Sequence, residues 1–133
     1  MEWLPEYSVH IEEIDAQHKE LLGHFSAIGA AITQKNSWAE THFEIVALRE
    51  FAHFHFRFED ALMRLYACPE REQHNRIHQG FFRKLESYEE MSLHHQTHHE
   101  VLTFFQTWLL KHIQGDDRAY AQRILSGAKV VSS

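Results

Sequence analysis

Apolar residues and histidines recur along this chain at steps of four and three, the spacing that gathers side chains on one face of a helix. The first stripe, Ile14, His18, Leu21, Phe25, Ile28 and Ile32, predicts a helix that Asp15 or an acidic neighbour could cap and that the polar run Gln34-Lys35-Asn36-Ser37 ends. Ser37 followed by Glu40 has capping-box spacing, so a second helix should begin near Trp38. Its stripe reads Leu48, Ala52, His55, Glu59, Leu62, Tyr66, and Ala67-Cys68-Pro69 breaks it, because proline disfavours helical geometry in the preceding residue. Pro69 suits the first turn of a third helix, which carries His74, Ile77, His78, Phe81, Phe82, Leu85 and Tyr88. The fourth reads His98, Leu102, Phe105, Leu109 and His112, with Trp108 beside it and Gly115 weakening its end.

Such segments pack most simply as an all-α, antiparallel up-down-up-down four-helix bundle. The reading is of one domain over 1–133. An arm over about 1–12 lays Trp3, Pro5 and Tyr7 on a bundle over about 13–117, and a short C-terminal helix and tail follow over about 118–133. Only 5 Gly and 2 Pro leave few places for the many turns of a β fold. A net charge of -6 without a basic cluster argues against nucleic acid or an anionic membrane as partner. The acidic start Met1-Glu2 and the lack of a long apolar run predict neither a signal peptide nor a transmembrane helix, so the expected location is cytoplasmic. The single Cys68 forms no internal disulfide and is expected as a packed or partly exposed thiol.

The unusual count is 13 His. Histidines and carboxylates at core positions cost stability unless something satisfies them, yet every predicted helix carries some there. His18 lies on the first, His55 and Glu59 on the second, His74 and His78 on the third, His112 and Asp117 on the fourth. The four-residue steps of His55 with Glu59 and His74 with His78 project each pair side by side. Two other pairs of the same spacing, His94 with His98 and His95 with His99, lie about 21 Å along a helix from His112 and are read as a solvated helix start. His10, His24, His42 and His53 have no partner at ligand spacing and are assigned surface or cap roles.

Five imidazoles and two carboxylates are too many donors for one tetrahedral zinc ion, so two metal ions are implied. With both carboxylates bridging and one solvent-derived bridging oxygen, these donors fill all but one position of two six-coordinate ions. Five residues separate His112 from Asp117, about 140° on an ideal helix, so both can face one centre only if a widened π-type turn lies around Gln114 and Gly115.

This constellation resembles the hemerythrin family in its single-domain bacterial form. The likeness runs through Ser8-Val9-His10-Ile11, Ile14-Asp15-Ala16-Gln17-His18-Lys19, the His55 to Glu59 and His74 to His78 segments, and His112 to Asp117. The resemblance implies a non-haem centre of two iron ions joined by an oxo or hydroxo bridge. His74, His78 and His112 would hold one iron, His18 and His55 the other, and Glu59 and Asp117 would bridge them. Dioxygen would bind reversibly at the vacant position of the iron with two histidines, walled by Leu21, Phe56, Trp108, Leu109 and Ile113. Neutral histidines favour binding over oxygen–oxygen cleavage, since they stabilise highly oxidised iron less than carboxylates do. The reading is therefore of a monomeric oxygen carrier, not an enzyme, with an oxygen-consuming enzyme as possible recipient. The alternatives are an oxygen or redox sensor acting through a partner, a di-iron peroxidase or nitric oxide scavenger, and a bundle with structural zinc.

Overall fold

The computed structural model describes residues 2–34, 37–93 and 99–132 and, within them, the side chains other than those at 91–93, 99–101, 104 and 128–132. The chain is a helical bundle: α1 (Glu12–Thr33), α2 (Trp38–Leu65), α3 (Arg71–Leu93), α4 (His99–His112) and α5 (Arg118–Ser132). α2 packs on both α1 and α3, and α4 on α1. No strand occurs among the described residues, and none of their helices is long and apolar enough to cross a membrane. The His94, His95 and His98 segment and the His99 side chain lie outside the described residues.

Local chemistry explains both ends of α2. Ser37 accepts the Glu40 N–H at 3.2 Å, and α2 starts at Trp38 as its capping spacing predicts. Asp15 departs from its expected capping role, because α1 starts earlier, after Ile11, without a side-chain cap. Asp15 instead reaches back and accepts from the Val9 N–H (2.9 Å) and the Ser8 hydroxyl (2.5 Å). This ties the arm to α1 beside His10, whose φ of 65° turns the chain. Tyr7 and Val9 are buried, Trp3 meets Tyr7 edge to face, and the Arg118 guanidinium donates to the Glu6 carbonyl.

At the other end of α2 a Schellman turn precedes the proline. Ala67 is left-handed (φ 52°), its N–H donates to the Arg64 carbonyl, and the Cys68 N–H donates to the Met63 carbonyl at 2.9 Å. Pro69 therefore lies in the connecting turn and not in the first turn of α3, which begins at Arg71. The interior stripe of α2 also ends differently from the pattern: Met63 is buried, while Leu62 is half-buried and Tyr66 exposed. Asp60 clamps α2 to α3 by accepting from Arg71 (3.1 Å) and Asn75 (2.9 Å).

The main core is largely aliphatic with aromatic contacts through it: Phe25 stacks on Phe105, and Phe81 meets Phe56, Phe105 and Trp108. Gly29 lets α1 and α4 approach closely, since a Cβ there would lie 2.9 Å from Leu102 Cδ2. A second cluster joins Met63 and Cys68 to Tyr120 and Ile124 of α5. This cluster covers the end of the bundle where the histidines converge. His24 packs on Phe51 and His53 stacks on Phe82, so both act as ordinary half-buried ring contacts.

Candidate metal centre

α1 contributes His18, α2 His55 and Glu59, α3 His74 and His78, and α4 with its extension His112 and Asp117. The segment Ile113–Asp117 is a π-helix, the widened turn that the five-residue spacing requires, and it turns the Asp117 carboxylate inward. None of these seven residues is more than 4% exposed.

Their ligand atoms form two overlapping groups, each within 4.8 Å. One holds His74, His78 and His112, the other His18 and His55, and both include Glu59 and Asp117. Asp117 divides its oxygens between the groups: Oδ2 lies 3.1 Å from His18 Nε2, while Oδ1 lies 2.8 Å from His74 Nε2 and 3.1 Å from His112 Nε2. Glu59 Oε1 spans them too, at 2.9 Å from His55 Nε2 and 3.6 Å from His78 Nε2. Several inward-facing atoms have no hydrogen-bond partner, among them His18 Nε2, His55 Nε2, Glu59 Oε1 and Asp117 Oδ2. Buried polar groups left in this way are costly, and a cation among them would satisfy all of them at once. Nitrogen-rich donors with two carboxylates suit a first-row transition ion better than calcium or magnesium.

The outer hydrogen bonds orient these donors. Gln17 Oε1 accepts from His55 Nδ1 at 2.7 Å, and Asp116 Oδ2 accepts from His112 Nδ1 at 2.9 Å, which points each Nε2 inward. The Tyr120 hydroxyl donates to Glu59 Oε2 at 2.5 Å. Burial, with Glu59 and Asp117 adding to it, pushes the Tyr120 hydroxyl far above its ordinary pKa, so it stays a neutral donor. None of these three residues is assigned a role by the sequence reading. Tyr120 follows Asp117 by three residues and Asp116 follows His112 by four, spacings that hint at a shared face; nothing local links Gln17 to His55.

Aromatic rings cover the side with three histidines. Phe56 and Trp108, expected to wall the side with two histidines, stack on the side with three: Phe56 on His78 at 3.7 Å and Trp108 on His112 at 4.8 Å between ring centres. Leu21, Leu109 and Ile113 are buried in the same core cluster, and Trp108 is partly buried against it.

Charge in the metal-free chain is uneven. Burial resists ionisation of both carboxylates, but the neighbouring histidines overcome it and hold Glu59 below its ordinary range and Asp117 well below it. Burial lowers the His78 pKa to about 3, helped by His112 and His74 and opposed by Glu59. For His112 burial is outweighed by Asp117 and the hydrogen bond to Asp116, which raise it to about 10. The raised His112 pKa stabilises the metal-free fold fully below pH 6.5, and this contribution is lost as pH rises through about 10. A cation held by His112 Nε2 would displace that proton. Adding Fe²⁺ to metal-free protein near pH 7, without oxygen and in weak buffer, should release at least one proton per chain. Uptake without proton release would show that His112 carries no proton to displace in the metal-free chain.

The chain matches the family model described as hemerythrin HHE cation binding domain over residues 9–124. It is 29% identical over 125 residues to a protein named Bacteriohemerythrin from Stenotrophomonas maltophilia (strain R551-3), covering 92% of this chain and 80% of the relative. A Bacteriohemerythrin from Clostridium acetobutylicum is 26% identical over 125 residues, covering 89% of this chain and 96% of the relative. One from Pseudomonas aeruginosa (strain UCBPP-PA14) is 26% identical over 123 residues, covering 92% and 80%.

Proposed function

From the premise that the chain belongs to the hemerythrin family, we propose that it binds dioxygen reversibly at a non-haem di-iron centre and serves oxygen storage or delivery. The observation that carries this reading is the pair of overlapping donor groups, three histidines in one and two in the other, sharing Glu59 and Asp117. An iron pair supplies the reversible electron donation that dioxygen binding needs, which no side chain here provides. His74, His78 and His112 would hold one ion, His18 and His55 the other, with both carboxylates bridging.

The protein's part is to fix this unequal donor set and keep it dry. Gln17 and Asp116 hold two of the rings in one tautomer, and the Tyr120 hydrogen bond restrains Glu59. Leu21 follows His18 by three residues on the same buried face, and Leu109 and Ile113 add apolar wall. Phe56 and Trp108 shield the imidazoles of His78 and His112. A wall without protons or water suppresses side reactions and favours release of dioxygen unchanged.

The deciding experiment is a visible spectrum of reduced protein before and after air, beside a metal count. Charge-transfer absorption that appears with oxygen, disappears on its removal and accompanies about two irons per chain is the expected result. Steady turnover of peroxide or nitric oxide without a reversible spectrum would replace the carrier with an enzyme.

Leu21→Ser tests the wall. It should leave iron content nearly unchanged, because no donor is lost, while shortening the oxygenated lifetime by about tenfold or more. Leu85→Ser, a buried change on α3 about two turns from His78, should mainly reduce stability. The opposite pattern would move the oxygen pocket away from His18 and His55.

A further inference from the structure

α2 carries a second apolar face that the bundle does not use. Phe43, Phe54 and Leu65 are 65%, 52% and 76% exposed, and each lies eleven residues from the next. Eleven residues exceed three full helical turns by only about 20°, so the three side chains share one face at intervals of about 16 Å. Half-buried Phe51 and Phe58 flank Phe54 at ring distances of 5.8 and 6.4 Å and continue the ridge. On α1, Gly23 is exposed in mid-helix with nothing within 4 Å of a Cβ built on it, although glycine there costs about 1 kcal/mol relative to alanine. Its neighbour His24 packs on Phe51, which puts this low, open stretch of α1 level with the ridge.

We propose that this α1–α2 face is where a second copy of the chain docks, with the two α2 helices antiparallel about a two-fold axis at Phe54. The apolar pattern is self-complementary in that arrangement. Reversal about Phe54 sets Phe43 opposite Leu65 of the second copy and the reverse, while Phe54 meets its own counterpart. Phe43 also lines a groove of about 470 Å³ between α1 and α2, with Ala27, Ala30 and Ala39, which would receive that leucine. The ridge is bordered by Glu40, Glu44 and Glu50 in its first half and by Arg57 and Arg64 in its second. Reversal brings Glu50 within one residue of Arg57 of the second copy on the same flank of the ridge, while Glu44 stays on the α1 flank and Arg64 on the α3 flank. A parallel mate would instead set glutamates against glutamates, at a cost in like-charge repulsion.

The size fits a modest dimer. The exposed parts of Phe43, Phe54 and Leu65 amount to about 400 Å² per copy. Adding the groove walls brings the area for two copies to about 1,000 Å², near the lower end of specific interfaces. An interface of this size makes a weak, concentration-dependent dimer, in place of the monomer that the sequence alone suggests.

Sedimentation equilibrium of the metal-loaded protein between about 5 and 500 μM tests this. The mass should rise with concentration from 15.8 kDa to twice that value. Phe54→Glu sets two like charges on the axis and should weaken the dimer by about a hundredfold or more without changing metal content. Glu50→Arg should weaken it by about tenfold, and adding Arg57→Glu should restore it to within about threefold of the original. A monomer at every concentration, or a dimer indifferent to Phe54→Glu, would overturn the proposal. Should Phe54→Glu not fold, the charge exchange decides alone: a double variant no tighter than Glu50→Arg would also overturn it. Binding of the monomer to lipid vesicles through this face, without self-association, would assign the ridge to a membrane and overturn it as well.

Discussion

Stripping the metal with a chelator is expected to lower the melting temperature by more than about 10 °C. The cost originates in the seven buried donors, several of whose inward atoms have no partner within the protein. An unsatisfied buried polar group costs about 1 to 3 kcal/mol, and one carboxylate beside another at full burial adds repulsion. A ligand that binds only the folded chain, present at about a thousand times its Kd, adds about 4 kcal/mol through mass action. For a chain of 133 residues each kcal/mol moves the midpoint by about 3 to 5 °C, so even a partial loss is measurable. Calorimetry before and after chelation, with iron restored as a control, supplies the comparison. Equal midpoints with and without metal would mean that the polar cluster is satisfied by other means and that no structural link joins the ions to the fold.

Removing a shared carboxylate should cost more metal than removing a histidine. Asp117 belongs to both donor groups and directs one oxygen to each, whereas His18 belongs to only one. Asp117→Ala is therefore expected to reduce bound iron from about two per chain to well under one, while His18→Gln retains about one. The asymmetry follows from charge as well as geometry: two divalent cations held by two carboxylates and neutral imidazoles lose half of their fixed counter-charge with Asp117. Iron analysis on both variants after identical loading, with circular dichroism to confirm the helical content, gives the answer. Equal loss in the two would show that the halves of the site fill only together, and the shared-carboxylate account of Asp117 would fail.

The helices were legible because burial along a helix is written as a period of four and three, and the histidines obey the same period as the leucines and phenylalanines. His18 falls between Ile14 and Leu21, and His78 between His74 and Phe81, so placing the helices also placed these histidines inside the bundle. The π-helix before Asp117 was legible for a related reason, since a required spacing of five can be met only by widening the turn. Helix ends were read less well. The carboxylate of Asp15 serves the arm rather than the start of α1, and a left-handed Ala67, which no propensity favours, ends α2 before Pro69 can act.

What the sequence by itself determined was therefore the helical class, the interior face of most helices and the seven side chains that meet in the buried polar cluster, all properties that repeat within a few residues along one helix. The pairing of Gln17 with His55, of Tyr120 with Glu59 and of Asp117 with both donor groups was decided only by the tertiary structure. So was the exposure of Phe43, Phe54 and Leu65, which a hydrophobic pattern alone would place in a core. The reason is one of range: local spacing reports which residues share a face, while the partner that face meets lies tens of residues away and depends on how whole helices pack.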